Sequence, residues 1–356
     1  MAPLPAETPG FSAAVAQRAV RRGVISVLAF VLLIAAVVVA VANTDVGAAH
    51  VADIRQRMSM AALVASTTLM SAAFVFMGLR WRALLPEGNR PPVFGLSAII
   101  LAGLLLNYAL PGPMGELGAA WFAHRRYRVP LADALATGVT ARIIGLATAA
   151  LLAAVVWTVT DVPAVEGTKT LIIAATSLIA VGGLALSVLA VRPQVWQRLA
   201  TWMLGPMLRG PPRIAGLTQR LLDAVNSIAN AIAGVVHRGL RPMLAAAGWS
   251  IGGHLTVTTG IAIAIGGLDA VFDIAGLAFT YAATTAGAVA LFALPGSQLG
   301  WDALFVTLLV WTTGLTEPDA VAVAMLIRLQ QLGYMLVGAL VVGWLIHTDT
   351  GAPQEG

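Results

Sequence analysis

The sequence predicts an all-α polytopic membrane protein: six transmembrane helices plus two re-entrant helical hairpins, arranged as an inverted repeat. Three observations lead there. The chain of 356 residues is 59% hydrophobic and 10% charged, with a mean hydropathy of +0.87, whereas a soluble chain carries about 25% charged residues. A motif occurs twice in apolar sequence: Leu110-Pro111-Gly112 followed by Glu116 and Arg142, and Leu294-Pro295-Gly296 followed by Asp302 and Arg328, with 26 residues from acid to arginine in both copies. Finally, the basic residues gather in alternating loops.

Residues 1–17, rich in Pro and Ala, read as a disordered cytoplasmic tail. Arg18, Arg21 and Arg22 then precede an apolar run at 23–43. At about 20 residues it exceeds the usual 7–15 of a signal-peptide core, so it is expected to remain as the first transmembrane helix. Windows at 58–79, 131–160, 170–191, 242–266 and 320–346 are also long enough to cross, at about 20 residues per crossing. Two more apolar stretches, 93–123 and 274–315, are broken near the middle by Leu-Pro-Gly. Proline removes a backbone donor and glycine tolerates a turn. The arms beside the first break are about 17 and 9 residues, and the second is too short to span. Each stretch is therefore expected to be a re-entrant hairpin. The chain divides into a first membrane repeat (18–191), a basic polar segment (192–241), a second membrane repeat (242–347) and a disordered tail (348–356).

Loop charges orient these elements. With the N-terminus in the cytoplasm, 16 of the 21 basic residues fall on the cytoplasmic side, among them Arg80, Arg82, Arg90, Arg125, Arg126 and Arg128 and seven arginines of 192–241. Only Arg55, Arg57 and Lys169 fall outside, together with acids such as Asp45, Asp161, Asp269, Asp273, Glu317 and Asp319. Basic residues collect in cytoplasmic loops, so both termini are expected in the cytoplasm and the protein in the plasma (inner) membrane. The same assignment makes hairpin one enter and leave on the cytoplasmic side and hairpin two on the outer side, an inverted-topology repeat. In 192–241, Leu217, Leu221, Val225 and Ile228 recur at helical spacing. That segment reads either as a basic amphipathic helix on the inner leaflet or as a plain linker between the repeats.

The candidate site lies in the two repeats. Arg142 and Arg328 stand in apolar helices, far enough from the ends that snorkelling does not reach water. Two readings stay open. In one, Arg142 pairs with Glu116 and Arg328 with Asp302 simply to pin each hairpin to the next helix. In the other, the arginines face a cavity and take an anionic headgroup, because a guanidinium fork matches two phosphate oxygens. The acids are then gates, and candidates for protonation during a cycle. The hairpin tips at Pro111, Gly112, Gly115, Pro295 and Gly296 would present unpaired backbone N–H groups that favour anions. Asn107 and Gln298 flank the tips as further headgroup contacts. Thr284, Thr285, His254, Gln330, Gln331 and Tyr334 read first as interhelical hydrogen-bonding groups. Trp81, Trp121 and Trp157 read as interfacial belt residues.

Several classes are disfavoured. There is no cysteine, and the five histidines are scattered with no metal-ligand spacing, so neither a metal nor another cofactor is expected. The net charge of +5 comes from 20 arginines and one lysine. Such a balance fits cytoplasmic loops of a membrane protein better than nucleic-acid binding.

The segment Asn107-Tyr108-Ala109-Leu110-Pro111-Gly112-Pro113-Met114-Gly115-Glu116, then Thr140-Ala141-Arg142-Ile143-Ile144-Gly145-Leu146, resembles the lysylphosphatidylglycerol synthase transmembrane family, also called the flippase-like or UPF0104 family. Leu294-Pro295-Gly296 to Gly300 and Leu326-Ile327-Arg328 fit its second half, so the resemblance covers about residues 20–345. It differs from that family's pattern in having Pro113 and Ala119 where arginine is common and Ala141 where an acid is common. The resemblance implies a flippase-type module that moves an anionic phospholipid or a polyprenyl-phosphate-linked lipid between leaflets. Synthetase sequence is not found within these 356 residues, so aminoacyl transfer is not expected and the protein is not expected to be an enzyme. The expected partners are membrane lipids with an anionic headgroup, with a lipid-modifying enzyme or a second copy of the chain as further ones. The alternative function is a non-transporting membrane scaffold for a lipid-modifying enzyme.

Overall fold

A computed structural model describes residues 55–109, 114–162, 170, 192–209, 211–291 and 297–348. Outside the described residues lie the expected helix at 23–43, all but Thr170 of that at 170–191, both tails apart from Thr348, and the tip residues Pro111, Gly112, Pro295 and Gly296. Every regular element among the described residues is helical. In chain order they are α1 (Met60–Leu84), α2 (Val93–Ala109), α3 (Met114–Tyr127), α4 (Leu131–Val159), α5 (Pro193–Leu204), α6 (Pro212–His237), α7 (Leu240–Gly266), α8 (Ile274–Leu291), α9 (Ser297–Thr313) and α10 (Glu317–Thr348). Short 3₁₀ turns stand at Glu87–Asn89 and Gly205–Arg209.

Local chemistry sets the helix ends. The Ser59 side chain accepts from the Ala62 N–H at 3.4 Å to start α1, and Asp273 accepts from the Gly276 N–H at 2.6 Å to start α8. Pro193 opens α5, where its missing N–H costs nothing. The C-terminal carbonyl of Thr313 accepts from the Asp273 N–H at 3.0 Å, which closes α9 against the start of α8.

α1, α4 and α10 are long and apolar enough to cross a membrane. α7 has 27 residues and so spans about 40 Å, but His254, Thr256, Thr258 and Thr259 dilute its apolar sequence. The described parts of the helices beside the two Leu-Pro-Gly breaks are 17 and 14 residues (α2, α3) and 18 and 17 residues (α8, α9). The 14 residues of α3 correct the expected arm of about 9. The helix does not stop with the apolar sequence at Ala123 but runs on through His124, Arg125 and Arg126. Basic residues in a last helical turn complement the helix dipole, and Arg125 and Arg126 lie over the rings of Trp121 and Trp344. α10 likewise reaches Thr348, one residue into the expected tail.

The packing repeats itself. α1 lies along α7 as the central pair. α2 packs on α3 and on α10, while α8 packs on α9 and on α4. The hairpins open at opposite ends of α1. At the C-terminal end of α1, Leu84, Leu85, Val129, Val235, Val342 and Leu345 form one apolar cluster where α2 starts and α3 ends. There Arg238 donates to the Leu84 carbonyl at 2.8 Å. Burial lowers the pKa of that guanidinium, Asp133 draws it back up, and Arg90 pushes it down. At the N-terminal end of α1, the Ser59 N–H donates to the Gly267 carbonyl at 2.9 Å and Arg57 pairs with Asp319 at 2.9 Å, where α8 starts and α9 ends. Outside this arrangement, α5 packs on α6, and α6 lies against α4. The segment 192–241 is therefore mostly helical, with Trp202 and Met203 of α5 exposed.

Candidate functional site

Counting from Leu131 and Glu317, Arg142 and Arg328 are each the twelfth residue of their helix. α10 starts at Glu317, earlier than the apolar window suggests, because Glu317 and Asp319 suit a first turn and Thr316 accepts from the Asp319 N–H at 3.4 Å. Both guanidinium groups thus sit about 17 Å along their helices. A cavity of about 440 Å³ lies between the helices and is lined from α1, α2, α3, α4, α7, α8, α9 and α10. Arg142, Arg328, Glu116 and Asn107 all line it.

Each arginine meets the acid of its own repeat. Arg142 pairs with Glu116 through Nη1 and Oε1. Arg328 makes a fork with Asp302: Nε donates at 2.8 and 3.0 Å, and Nη2 stands 2.7 Å from Oδ1. Arg328 also donates to Gln331 Oε1 and lies over the Trp301 ring at 5.1 Å. The side chains of Arg142 and Arg328 keep 32% and 23% of their surface open, so neither is sealed inside its pair.

Asn107 organises the first hairpin. Its Oδ1 accepts from the Gly115 N–H at 2.7 Å, and its Nδ2 donates to Glu116 Oε1 at 3.4 Å. Glu116 Oε2 is buried without a hydrogen-bond partner among the described residues. Gly115 lets α3 pass close to α2: a Cβ there would overlap the Gly103 carbonyl and the Asn107 side chain. Gly115→Val is expected to lower stability by about 1–3 kcal/mol through overpacking. Thermal unfolding of the detergent-purified protein checks this, and an unchanged melting temperature would contradict so close an approach.

The other sequence candidates separate. The Gln298 backbone lies in α9, but its side chain is outside the described residues. Gln330 joins α10 to α1 through Ser66 and Thr67, both at 3.0 Å, and Tyr334 donates to the Thr67 carbonyl at 3.0 Å. Thr284 bonds back to the Thr280 carbonyl, whereas Thr285 lines the cavity. His254 faces the Gly145 carbonyl at 2.9 Å and Thr148 Oγ1 at 3.3 Å. Trp81 is not a belt residue: it is 4% exposed, donates to Thr137 Oγ1 at 3.0 Å and borders the cavity. Trp157 packs on Phe279 with ring centroids 5.0 Å apart, and Trp121 on Phe122 at 5.1 Å.

Sequence reasoning missed three cavity residues. Arg80 was expected in a cytoplasmic loop, but α1 continues to Leu84 and carries Arg80 into the cavity wall with Met77 and Trp81. The signal was available: from Met77 inside the apolar window, Trp81 and Leu84 continue the helical spacing past its end. Tyr281 and Trp301 carried no such signal, because their direction depends on how α8 and α9 pack. Among the described residues, His, Cys, Asp and Glu form no group of three placed to hold a metal.

A family model described as the lysylphosphatidylglycerol synthase TM region matches residues 26–338. No curated protein and no solved structure matches the chain.

Proposed function

The chain belongs to the family of the lysylphosphatidylglycerol synthase transmembrane region, multi-pass membrane proteins connected with lipid handling, and from that premise we propose that it is a flippase-type lipid transporter. Its cargo is an anionic phospholipid or a polyprenyl-phosphate-linked lipid, moved between leaflets without covalent change. One observation carries this reading: the twelfth residues of two long helices, Arg142 and Arg328, border one cavity, each paired with the acid of its own repeat and each with part of its side chain still exposed. A charge this far along an apolar helix is costly and marks a substrate path more often than a structural pin.

The inverted repeat is supported by the hairpins opening at opposite ends of α1 and by the matched packing of α2 on α10 and α8 on α4. In this reading α2–α3 and α8–α9 are re-entrant, since irregular backbone inside a membrane is tolerated only against protein or water. Arg142, Arg328, Asn107 and Gln298 hold the headgroup. Glu116 and Asp302 hold the arginines when no cargo is bound and release them when it arrives. The loop arginines orient the protein with both termini in the cytoplasm, in the plasma membrane.

The test is leaflet-resolved movement of a fluorescent phosphatidylglycerol in proteoliposomes. Movement well above that in protein-free vesicles is expected. Movement equal to that background, in vesicles shown to contain folded protein, would refute the transporter.

A further inference from the structure

Three guanidinium groups border the cavity, and two carboxylates answer them. Arg142 has Glu116 and Arg328 has Asp302. Arg80 has no carboxylate partner among the described residues. Its contact is Ser250 Oγ at 3.3 Å, a neutral group, and its Nε is buried with no hydrogen-bond partner among the described residues. Arg80 itself lines the cavity, and a charged group left unanswered in a buried setting is costly.

The surroundings hold Arg80 in place. Gly145 of α4 leaves room for its guanidinium to approach that helix, and a Cβ at Gly145 would overlap Nη1. The Gly145 carbonyl is taken by His254 rather than by Arg80. Tyr281 borders the same cavity and approaches His254 Nδ1 at 3.5 Å. The groups around Arg80 therefore position it without supplying a negative charge.

We propose that Arg80 is the specificity-determining cation of the cavity: it leaves one positive charge in excess and so selects a lipid whose headgroup is a phosphodiester with a single net negative charge over a zwitterionic one. This rests on the transporter reading and names its cargo class. A phosphodiester monoanion between Arg80 and Arg142 closes the charge balance. A zwitterionic headgroup brings its own ammonium and leaves the excess charge unanswered. Charge balance in a low-dielectric site outweighs the hydrogen-bond count, because charges interact there far more strongly than in water.

The experiment compares retention of phosphatidylglycerol and phosphatidylcholine by the purified full chain in mixed vesicles, together with transport of each. Wild type is expected to prefer phosphatidylglycerol by about tenfold, the effect of one added hydrogen bond to a charged group. Arg80→Met is expected to bring that preference close to unity, and Arg80→Lys to keep part of it. Gly145→Ala moves the guanidinium without removing its charge and is expected to weaken the preference too; it serves if Arg80→Met fails to fold. Glycerophosphoglycerol, the same headgroup without acyl chains, is expected to compete weakly. If it competes as tightly as the lipid, the ligand is a soluble phosphodiester and the lipid assignment falls. If wild type moves phosphatidylglycerol and its preference survives both the Arg80→Met and Gly145→Ala changes, this inference alone is overturned. If wild type neither retains nor moves phosphatidylglycerol, the transporter reading falls and this inference with it.

Discussion

Proteoliposomes carrying Arg142→Gln or Arg328→Gln are expected to move anionic lipid at about one-tenth to one-hundredth of the wild-type rate, and the double variant at background. A hydrogen bond to a charged group contributes about 1.5–3 kcal/mol, and every 1.4 kcal/mol is about a factor of ten. Losing either arginine also frees its acid, Glu116 or Asp302, to repel the same anion. Lysine at either position keeps the charge but loses the two-point fork, so Arg142→Lys and Arg328→Lys should fall between wild type and the glutamine variants. The measurement is the initial rate of leaflet exchange at matched protein density. A double variant that is folded and still transports at the wild-type rate would show that the arginines do not contact the cargo.

Much of this arrangement is legible one residue at a time. The Leu-Pro-Gly breaks are visible because proline cannot continue a helix; both lie outside the described residues, between α2 and α3 and between α8 and α9. The acid–arginine partners are visible because an equal spacing in both copies is hard to obtain by accident in a chain with so few charges. Less visible is anything that depends on how far a helix continues into polar sequence. α1 carries Arg80 and Trp81 inward because it continues past the apolar window, and its inner face is fixed by α4 and α7, as the Thr137 and Ser250 contacts show. Those partners lie 56 and 170 residues away in the chain, so no local pattern specifies them. α10 gains its first turn from the capping chemistry of Thr316 and Asp319, which hydropathy does not register.

The second large effect separates pinning from cargo binding, the two readings the charges leave open. Asp302→Asn is expected to cost about 3–5 kcal/mol, as when one partner of a buried pair is removed. Partial exposure of the pair and the remaining Gln331 and Trp301 contacts put the value toward the low end of that range. Removing both charges as Asp302→Leu with Arg328→Met should recover most of that loss, because apolar residues of similar size commonly replace a buried pair without net cost. Thermal unfolding of the two single variants and the double variant yields the coupling as a double-mutant cycle. Transport by the recovered double variant then decides between the readings. If the pair only fastens α9 to α10, a refastened apolar contact should transport normally. If Arg328 holds the headgroup, the protein is stable but transports no faster than Arg328→Gln, since an apolar patch supplies no donor for phosphate. The second outcome is the one expected, because Arg328 lines the cavity and keeps part of its side chain exposed even while Asp302 holds it. A stable double variant with wild-type transport would reduce the second repeat's arginine to a fastening and leave any cargo to Arg142 and Arg80.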